Sequence, residues 1–159
     1  MSKTSERRII IGVDDSPSGL AALRWAVSEA RNRQAQLVAV RSWALGLPRH
    51  GGRHHRYLVH PRVVVFFRGA EQRDASAKLI RDAFRSATGG RPSDVAVTVR
   101  IPEGDPGESL TSIATHDGDM IVVGHRGGPS WWRAHRGSVS RYCRLHAACP
   151  VVVVQNEQE

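Results

Sequence analysis

The sequence has little cysteine and no long apolar run, and each shortage excludes a class of protein. Cys143 and Cys149 are the only cysteines among 159 residues. A single pair is neither a disulfide framework nor a zinc pattern, so both are interpreted as reduced packing residues. No apolar stretch approaches the roughly 20 residues that cross a bilayer, and the first residues lack the apolar core of a secretory signal. We therefore expect a cytoplasmic protein with no membrane partner.

Positive charge is abundant, but it is concentrated in one segment. The formal net charge is +8, and 21 of the 23 basic residues are arginine. Residues 44–70 contain five arginines and no acid, so this segment carries +5 and the other 132 residues carry +3. Its four histidines, at 50, 54, 55 and 60, match no established zinc spacing, and no metal is assigned to them. A solvated surface is favoured over a nucleic-acid face, although a nucleic-acid partner is not excluded.

Apolar patterning predicts five strands that alternate with four helices. Short β-branched runs that end in polar turn residues are typical of strands buried on both faces of a parallel sheet. Strands are predicted at 8–14, 36–43, 94–101, 119–124 and 150–155, and helices at 17–32, 71–88, within 104–116 and at 137–147. This order predicts a doubly wound α/β fold, with a five-stranded parallel sheet and helices on both faces. We predict a single domain over 1–159, with an irregular basic insertion at 44–70.

The loop after the fourth strand has the composition of a phosphate-binding site. It runs from Gly124 to Ser138 and leads into the last helix. Glycines let main-chain N–H groups approach an anion, and a helix start adds unpaired amides. Arginines at 126, 133 and 136 can neutralise phosphates. Because a glycine-rich turn before a helix is common, the spacing alone leaves phosphate binding and a plain connecting loop as equal alternatives.

The spacing of this loop resembles that of the nucleotide-binding branch of the universal stress protein family. That branch has the pattern G-x2-G-x9-G-S/T after its fourth strand, and Gly124, Gly127, Gly137 and Ser138 fall at these intervals. The opening IIIGVDDSPSGLAALRWA and the ending SVSRYCRLHAACPVVVVQ are also similar to the first and last elements of the family. The resemblance implies a Rossmann-like fold of the adenine nucleotide alpha hydrolase-like type.

The resemblance, which covers residues 6–43 and 71–156, also implies a ligand and its site. Asp14 and Ser16 stand at the D-x-S positions, so Asp14 is expected at the ribose or the adenine edge. The main chain at Ser42 is expected to face the adenine. The phosphates are expected at the loop and the start of the last helix, at Gly124, Arg126, Gly127, Gly137, Ser138 and Val139. Members of this type commonly bind ATP with a divalent cation, so ATP with Mg²⁺ is the expected cofactor. They commonly form homodimers through the last strand, which is 150–155 here.

Three interpretations of the function follow. The resemblance implies an ATP-binding stress-response or regulatory module with at most slow ATP hydrolysis. The alternative from another class is a protein or nucleic-acid interaction module that uses the basic 44–70 insertion and keeps a vestigial nucleotide pocket. The third is a slow ATPase or phosphotransferase, but no catalytic residue is assigned because nothing identifies a positioned base.

Two features of the expected site have competing explanations. From the residues alone, Asp14 is better explained as a turn or capping residue before Ser16, whereas the resemblance favours a ligand role. Trp131 and Trp132 lie inside the expected phosphate loop, where they line the pocket or block it. Arg41 and Ser42 stand where the family usually has a more apolar pair, at the expected adenine wall.

Overall fold

Five parallel strands form the centre of the molecule. The computed structural model describes residues 7–43, 61–125 and 139–156, and for 61–68 it describes only the main chain. The elements in chain order are β1 (Arg8–Gly12), α1 (Pro17–Arg33), β2 (Gln36–Val40), α2 (Pro61–Thr88), β3 (Val97–Arg100), α3 (Pro106–Ile113), β4 (Asp119–Gly124), α4 (Val139–His146) and β5 (Val151–Val154). The sheet order is β3-β2-β1-β4-β5, and every neighbouring pair is parallel. The predicted doubly wound α/β fold is confirmed.

Alternation along the strands divides the core into two layers. In β1, Ile9 and Ile11 belong to the cluster that α1 and α2 cover, whereas Ile10 belongs to the cluster that α3 and α4 cover. Successive side chains of a strand point to opposite faces, so an unbroken apolar run fits a strand that is buried on both sides. The same division recurs in β4, where Val122 joins the first cluster and Ile121 joins the second.

The main departure from the predicted elements concerns the basic insertion. Residues 44–70 were expected to be irregular, but α2 begins at Pro61, so residues 61–70 are the start of a 28-residue helix. The prediction was wrong there because the glycines, prolines, arginines and histidines of the segment together suggested irregular structure. A Cβ at Gly69 would lie 3.2 Å from Cη2 of Trp43, so this glycine permits close packing inside a helix. Residues 44–60 lie outside the described part of the chain.

The ends of other elements also differ from prediction, mostly by shortening. The strand pairing stops at Gly12 in β1 and at Val40 in β2, and Trp43 makes only an isolated bridge to Glu103. The third strand is four residues long because the chain around Asp94 turns before it pairs. No helix in the described ranges is long and apolar enough to cross a membrane.

An ion pair joins β1 to β4 at the amino ends of the strands. The Arg8 guanidinium donates to both carboxylate oxygens of Asp119, at 2.9 Å and 2.6 Å, and to the carbonyl of Ile113 at 3.0 Å. The main-chain N–H of His116 donates to Asp119 at 2.8 Å. Burial alone would raise the pKa of Asp119, but the hydrogen bonds from Arg8 and His116, with the charge of Arg8, hold the pKa below its usual value. Asp119 is therefore a buried, fully paired carboxylate.

Replacing Arg8 by methionine should lower the free energy of unfolding by about 3 kcal/mol at pH 7, because it leaves the buried Asp119 charge uncompensated. The contribution of Asp119 is complete above the pKa of about 4 that the carboxyl has in the unfolded chain, and it is lost as the pH falls through the lower folded pKa. Urea unfolding from pH 7 to pH 3 measures both effects. The parent should lose more stability over that range than Arg8→Met.

The matched control for that experiment is the Arg31–Asp94 pair, whose side chains are 47% and 57% exposed. Exposed ion pairs contribute little, so Arg31→Met should change the stability much less than Arg8→Met. Equal losses in the two variants would contradict the role assigned to the Arg8–Asp119 pair.

Candidate functional site

The direction of winding reverses between β1 and β4, and this reversal defines the candidate site. From β1 the chain continues to β2 on one side, and β4 lies on the other side of β1. In open α/β sheets, ligands bind outside the carboxyl ends of the strands at such a reversal. Val13 and Asp14 follow β1 at this edge, His125 follows β4, and Arg41 follows β2.

The turn between β1 and α1 is organised by Asp14 and Ser16. Oδ1 of Asp14 accepts a hydrogen bond from the Ser16 main-chain N–H at 2.9 Å and another from the Ser16 hydroxyl. Oγ of Ser16 in turn accepts the N–H of Gly19 at 3.0 Å, so Ser16 is the N-cap of α1, and Pro17 occupies the first helical position. The turn role of Asp14 is therefore confirmed, and its role toward a ligand stays a prediction.

Gly124 lets the end of β4 touch the first turn of α1. A Cβ at position 124 would lie 2.7 Å from the nitrogen of Gly19 and 2.7 Å from the carbonyl carbon of Ser18. A Cβ on Gly19 would lie 1.9 Å from Oδ1 of Asp14. The N–H of His125 donates to the carbonyl of Val154 at 2.7 Å, so the chain leaves β4 still paired to β5. Gly124 thus has a packing role, which the loop spacing did not predict.

Arg41 and Ser42 follow β2, and both are half-buried. The N–H of Arg41 donates to the carbonyl of Arg100 at 3.1 Å, and Nη1 of Arg41 donates to the carbonyl of Val13 at 3.2 Å. The guanidinium therefore reaches across the end of β2 to the end of β1. The sequence marks Arg41 as a departure from the family pattern, but it did not predict this contact.

Trp43 lies at the same edge of the sheet and packs against α2. Trp43 is 7% exposed, its ring packs against Gly69, and the Arg73 guanidinium lies 5.6 Å from its ring centroid. Two hydrogen bonds fix the main chain of Trp43. Its main-chain N–H donates to the carbonyl of Pro102 at 3.0 Å, and its carbonyl accepts from the N–H of Gly104 at 2.8 Å. These contacts hold the segment after β2 next to the turn after β3.

Part of the predicted phosphate site lies outside the described residues. This applies to Arg126, Gly127, Gly137 and Ser138, and also to Trp131 and Trp132. Val139 is the first residue of α4, is half-buried and packs against the core layer of α3. A Cβ on Gly107 of α3 would lie 2.7 Å from Cδ1 of Tyr142 in α4, so α3 and α4 pack closely. The phosphate contacts stay predictions.

The described cysteines and potential metal ligands point to no additional chemistry. Cys143 is buried, Cys149 is half-buried, and both are free, as predicted. Burial raises the pKa of Cys143 to about 11 and also raises that of Cys149, so both thiols are protonated at neutral pH. Within 7–43, 61–125 and 139–156, no cluster of three or more His, Cys, Asp or Glu residues could hold a metal ion. The four histidines of the insertion lie outside these ranges.

Comparison with known proteins decides the family. The family model described as the universal stress protein family matches residues 6–155. The chain belongs to the universal stress protein family. Universal stress protein Rv2623 of Mycobacterium tuberculosis is 30% identical over 171 residues, which cover 98% of this chain and 50% of that protein. The chain spans about half the length of the curated relatives that it matches.

Solved structures of universal stress proteins have the same fold. UspA from Lactobacillus plantarum matches with a TM-score of 0.63 and 26% identity, covering 96% of this chain and 99% of that one. A universal stress protein in complex with cAMP matches with a TM-score of 0.63 and 20% identity, covering 95% and 98%. One from Archaeoglobus fulgidus in complex with dAMP matches with a TM-score of 0.52 and 21% identity, covering 95% and 99%.

Replacing Gly124 of this universal stress protein by alanine should lower the free energy of unfolding by about 1–3 kcal/mol, because the new methyl group meets main-chain atoms of α1 that cannot rotate away. Urea unfolding followed by circular dichroism measures the loss. The matched control is Gly12→Ala, whose Cβ would meet the flexible end of Leu110 at 3.2 Å. The control should lose less stability, and an equal loss would contradict the assigned contact.

Proposed function

We propose that this universal stress protein binds ATP with Mg²⁺ at the reversal between β1 and β4, and that it acts as a stress-response or regulatory module. The observation that carries the proposal is the pair formed by this reversal and the loop that leaves it. The loop begins at Gly124, at the carboxyl end of β4, and its glycines have the G-x2-G-x9-G-S spacing. The expected phosphate ligands therefore start where an open α/β sheet binds ligands.

The capping of the helices favours α4 as the anion-binding helix. Ser16 caps α1, and Asp105 caps α3 by accepting the N–H groups of Gly107 and Glu108 at 2.8 Å and 3.2 Å. These two helix starts already have their own acceptors. α4 begins at Val139, directly after the Gly137–Ser138 pair of the loop. A phosphate at this helix start would interact favourably with the positive end of the helix dipole.

The ligands of related structures support an adenine nucleotide. Two universal stress proteins of the same fold were solved in complex with cAMP and with dAMP. Both ligands contain adenine, a pentose and a single phosphate. The step from one phosphate to three rests on this chain's own loop, in which Arg126, Arg133 and Arg136 supply three positive charges. Mg²⁺ follows from the triphosphate, whose oxygens it commonly binds in protein sites.

We propose that the protein binds ATP and does not hydrolyse it rapidly, because the carboxylate of Asp14 already accepts hydrogen bonds from Ser16. Oδ1 of Asp14 accepts two hydrogen bonds from Ser16. A general base must accept the proton of an attacking water. Asp14 could do so only in competition with its hydrogen bonds to Ser16. The protein would then respond to nucleotide occupancy, with hydrolysis slow or absent.

Replacing Gly127 by valine should weaken ATP binding by at least about tenfold, because a branched side chain prevents the main chain from approaching the phosphates. Isothermal titration with ATP and Mg²⁺ should give saturable binding for the parent at one site per chain. Gly52→Val, in the insertion, is the control and should bind like the parent. Circular dichroism checks that all three proteins fold.

Absence of saturable binding by the folded parent would refute the proposal. Mass analysis of small molecules released from the purified protein gives an independent readout, since a bound adenine nucleotide is expected there. Production of ADP from added ATP that is lost in Asp14→Ala would instead favour the slow ATPase.

We also propose that two copies pair through the last strand, residues 150–155. The two edges of the sheet differ in their protection. At the β3 edge, the Arg91 guanidinium donates to the carbonyl of Val97. At the other edge, β5 consists of four half-buried valines and pairs only with β4 among the described strands. An unprotected apolar edge favours pairing with another strand. Two copies of this chain together would also have about as many residues as one chain of the curated relatives.

The register of β5 identifies the groups that a partner would use. Ile121 N–H donates to the carbonyl of Pro150, and His125 N–H donates to that of Val154, so the even-numbered carbonyls face β4. Main-chain groups alternate along a strand, so those of Val151 and Val153 face outward.

Val153→Pro should convert the dimer to a monomer, because it removes an outward N–H that a partner strand would bind. Proline is tolerated at a sheet edge, so the chain should still fold. Light scattering after size exclusion measures the mass, with Val153→Thr as the control. A dimeric Val153→Pro, or a monomeric parent, would contradict this interface.

A further inference from the structure

We infer that Trp25 is the apolar anchor of an interface between two copies of this chain, and that the two-fold axis of this interface passes beside Val152. This inference rests on the proposed pairing through β5. It adds a helix residue and a strand register, neither of which that proposal includes. It starts from the length of β5 and from the side chains that flank this strand.

The edge of β5 is too short to hold two copies together by itself. β5 has four residues, so it is about 13 Å long. A stable interface buries about 800 Å² on each partner, and its fully buried centre is more apolar than its rim. Side chains of the helices on either face of β5 must therefore add to the contact.

On one face of β5, α1 presents Trp25. A Cβ at Gly124 of β4 would lie 2.7 Å from the carbonyl carbon of Ser18, so this side of α1 faces β4. Trp25 follows Ser18 by seven residues, which is about two helical turns, and therefore lies on the same side of α1. The other side of α1 is fixed by the hydrogen bonds from Arg31 to Asp94 near β3. Since β5 lies beyond β4 and also contacts α1, Trp25 faces the β5 edge.

Trp25 and Val152 lie at the same level of the sheet. Two turns of α1 cover about 10 Å, which is the length of three strand residues. Counted back from Gly124, that distance leads to Ile121, which is paired with Val151 of β5. Trp25 and Val152 pack against the same core cluster, and both are half-buried. They form one apolar strip along the free edge, and part of this strip is exposed.

The opposite face of β5 offers charge and no comparable anchor among the described residues. Tyr142 of α4 packs against Gly107 of α3, and α3 contacts β1 at the centre of the sheet. Arg144 follows Tyr142 by two residues, or about 200° around the helix, so it lies on the side of α4 away from α3. This arginine is exposed. Charged residues are depleted at interface centres, so the apolar contact is assigned to the α1 face.

Two-fold symmetry fixes the register. Homodimers are most often related by a two-fold axis, and an axis perpendicular to the sheet makes the two β5 strands antiparallel. The outward main-chain groups of Val151 and Val153 all find partners within β5 only if Val151 lies opposite Val153 of the second copy. Val152 then lies opposite Val152 of the second copy, with about 4.5 Å between their Cα atoms. One Trp25 flanks this valine pair on each side, on the same face of the joined sheet.

A disulfide across the axis tests the register. Val152→Cys should give a cross-linked dimer on mild oxidation of the folded protein, because about 4.5 Å between Cα atoms is within the range that a disulfide spans. Val153→Cys is the matched control, since its own counterpart would be about 8 Å away, which is too far. Electrophoresis without reductant measures the product. The parent, which retains Cys143 and Cys149, should stay uncross-linked. Cross-linking of Val153→Cys but not of Val152→Cys would overturn the register.

Trp25→Ala should raise the dissociation constant of the dimer at least about thirtyfold, which is the effect expected for loss of a tryptophan hot spot. Trp25→Phe should raise it less, because phenylalanine keeps the core contact and loses only the outer part of the ring system. Sedimentation equilibrium over a range of concentrations measures the constant, and urea unfolding measures the stability of each variant.

Leu20→Ala is the matched control for Trp25→Ala. Leu20 is also half-buried in α1 and packs against the same core cluster, but it lies about 200° around the helix from Ser18, on the side away from β5. The control should lose stability and keep the dissociation constant of the parent within about threefold.

Other outcomes separate this inference from the proposal on which it rests. If the parent is a dimer that Val153→Pro disrupts, but Trp25→Ala dissociates no more readily than Leu20→Ala, the role of Trp25 is overturned while pairing through β5 stands. If neither cysteine variant cross-links in such a dimer, the register is overturned in the same way. If the parent is a monomer at every concentration, the proposed pairing itself fails.

Discussion

The contact between Gly124 and the first turn of α1 is the constraint on which the candidate site depends. α1 follows β1 and β4 belongs to the other half of the winding, so this contact is where the two halves meet at the carboxyl edge. A side chain at position 124 would fill the space that the start of α1 occupies, and one at position 19 would collide with Asp14. Because both are glycines, the helix start, the Asp14–Ser16 turn and the end of β4 form one compact surface. The loop that leaves Gly124 therefore begins beside an already ordered turn.

The sequence predicted elements whose burial is uniform and missed those whose limits depend on distant contacts. The apolar runs of β1 and β4 are buried on both faces, so their identity follows from composition alone. The start of α2 at Pro61 did not follow from composition, and the helix contains Gly69, a residue that is normally unfavourable inside a helix. Its compensation is the approach of Trp43, which lies 26 positions earlier in the chain. Local preference cannot reveal a contact of that kind.

The site shows the same division between local and distant information. Asp14 and Ser16 are close in sequence, and their turn chemistry was foreseen as one of two explanations of the D-x-S motif. The direction of Arg41 depends on the pairing of β2 with β1, in which Gly12 lies opposite Val40 and Val13 N–H donates to Val40 at 2.9 Å. A shift of register by one residue would turn the side chain to the other face. Only the structure supplies that register.

Stability and proposed binding use opposite ends of the strands. At the amino edge, the buried carboxylate of Asp119 is paired with Arg8 and with a main-chain N–H. A substitution that removes one partner therefore lowers the free energy of unfolding strongly. At the carboxyl edge, Arg41 is half-buried and contacts one carbonyl, so its replacement leaves no buried charge without a partner. A protein that is marginally stable can vary the second kind of position at lower cost than the first. The chemistry at the end of β2 can therefore differ between members of the family while the sheet stays the same.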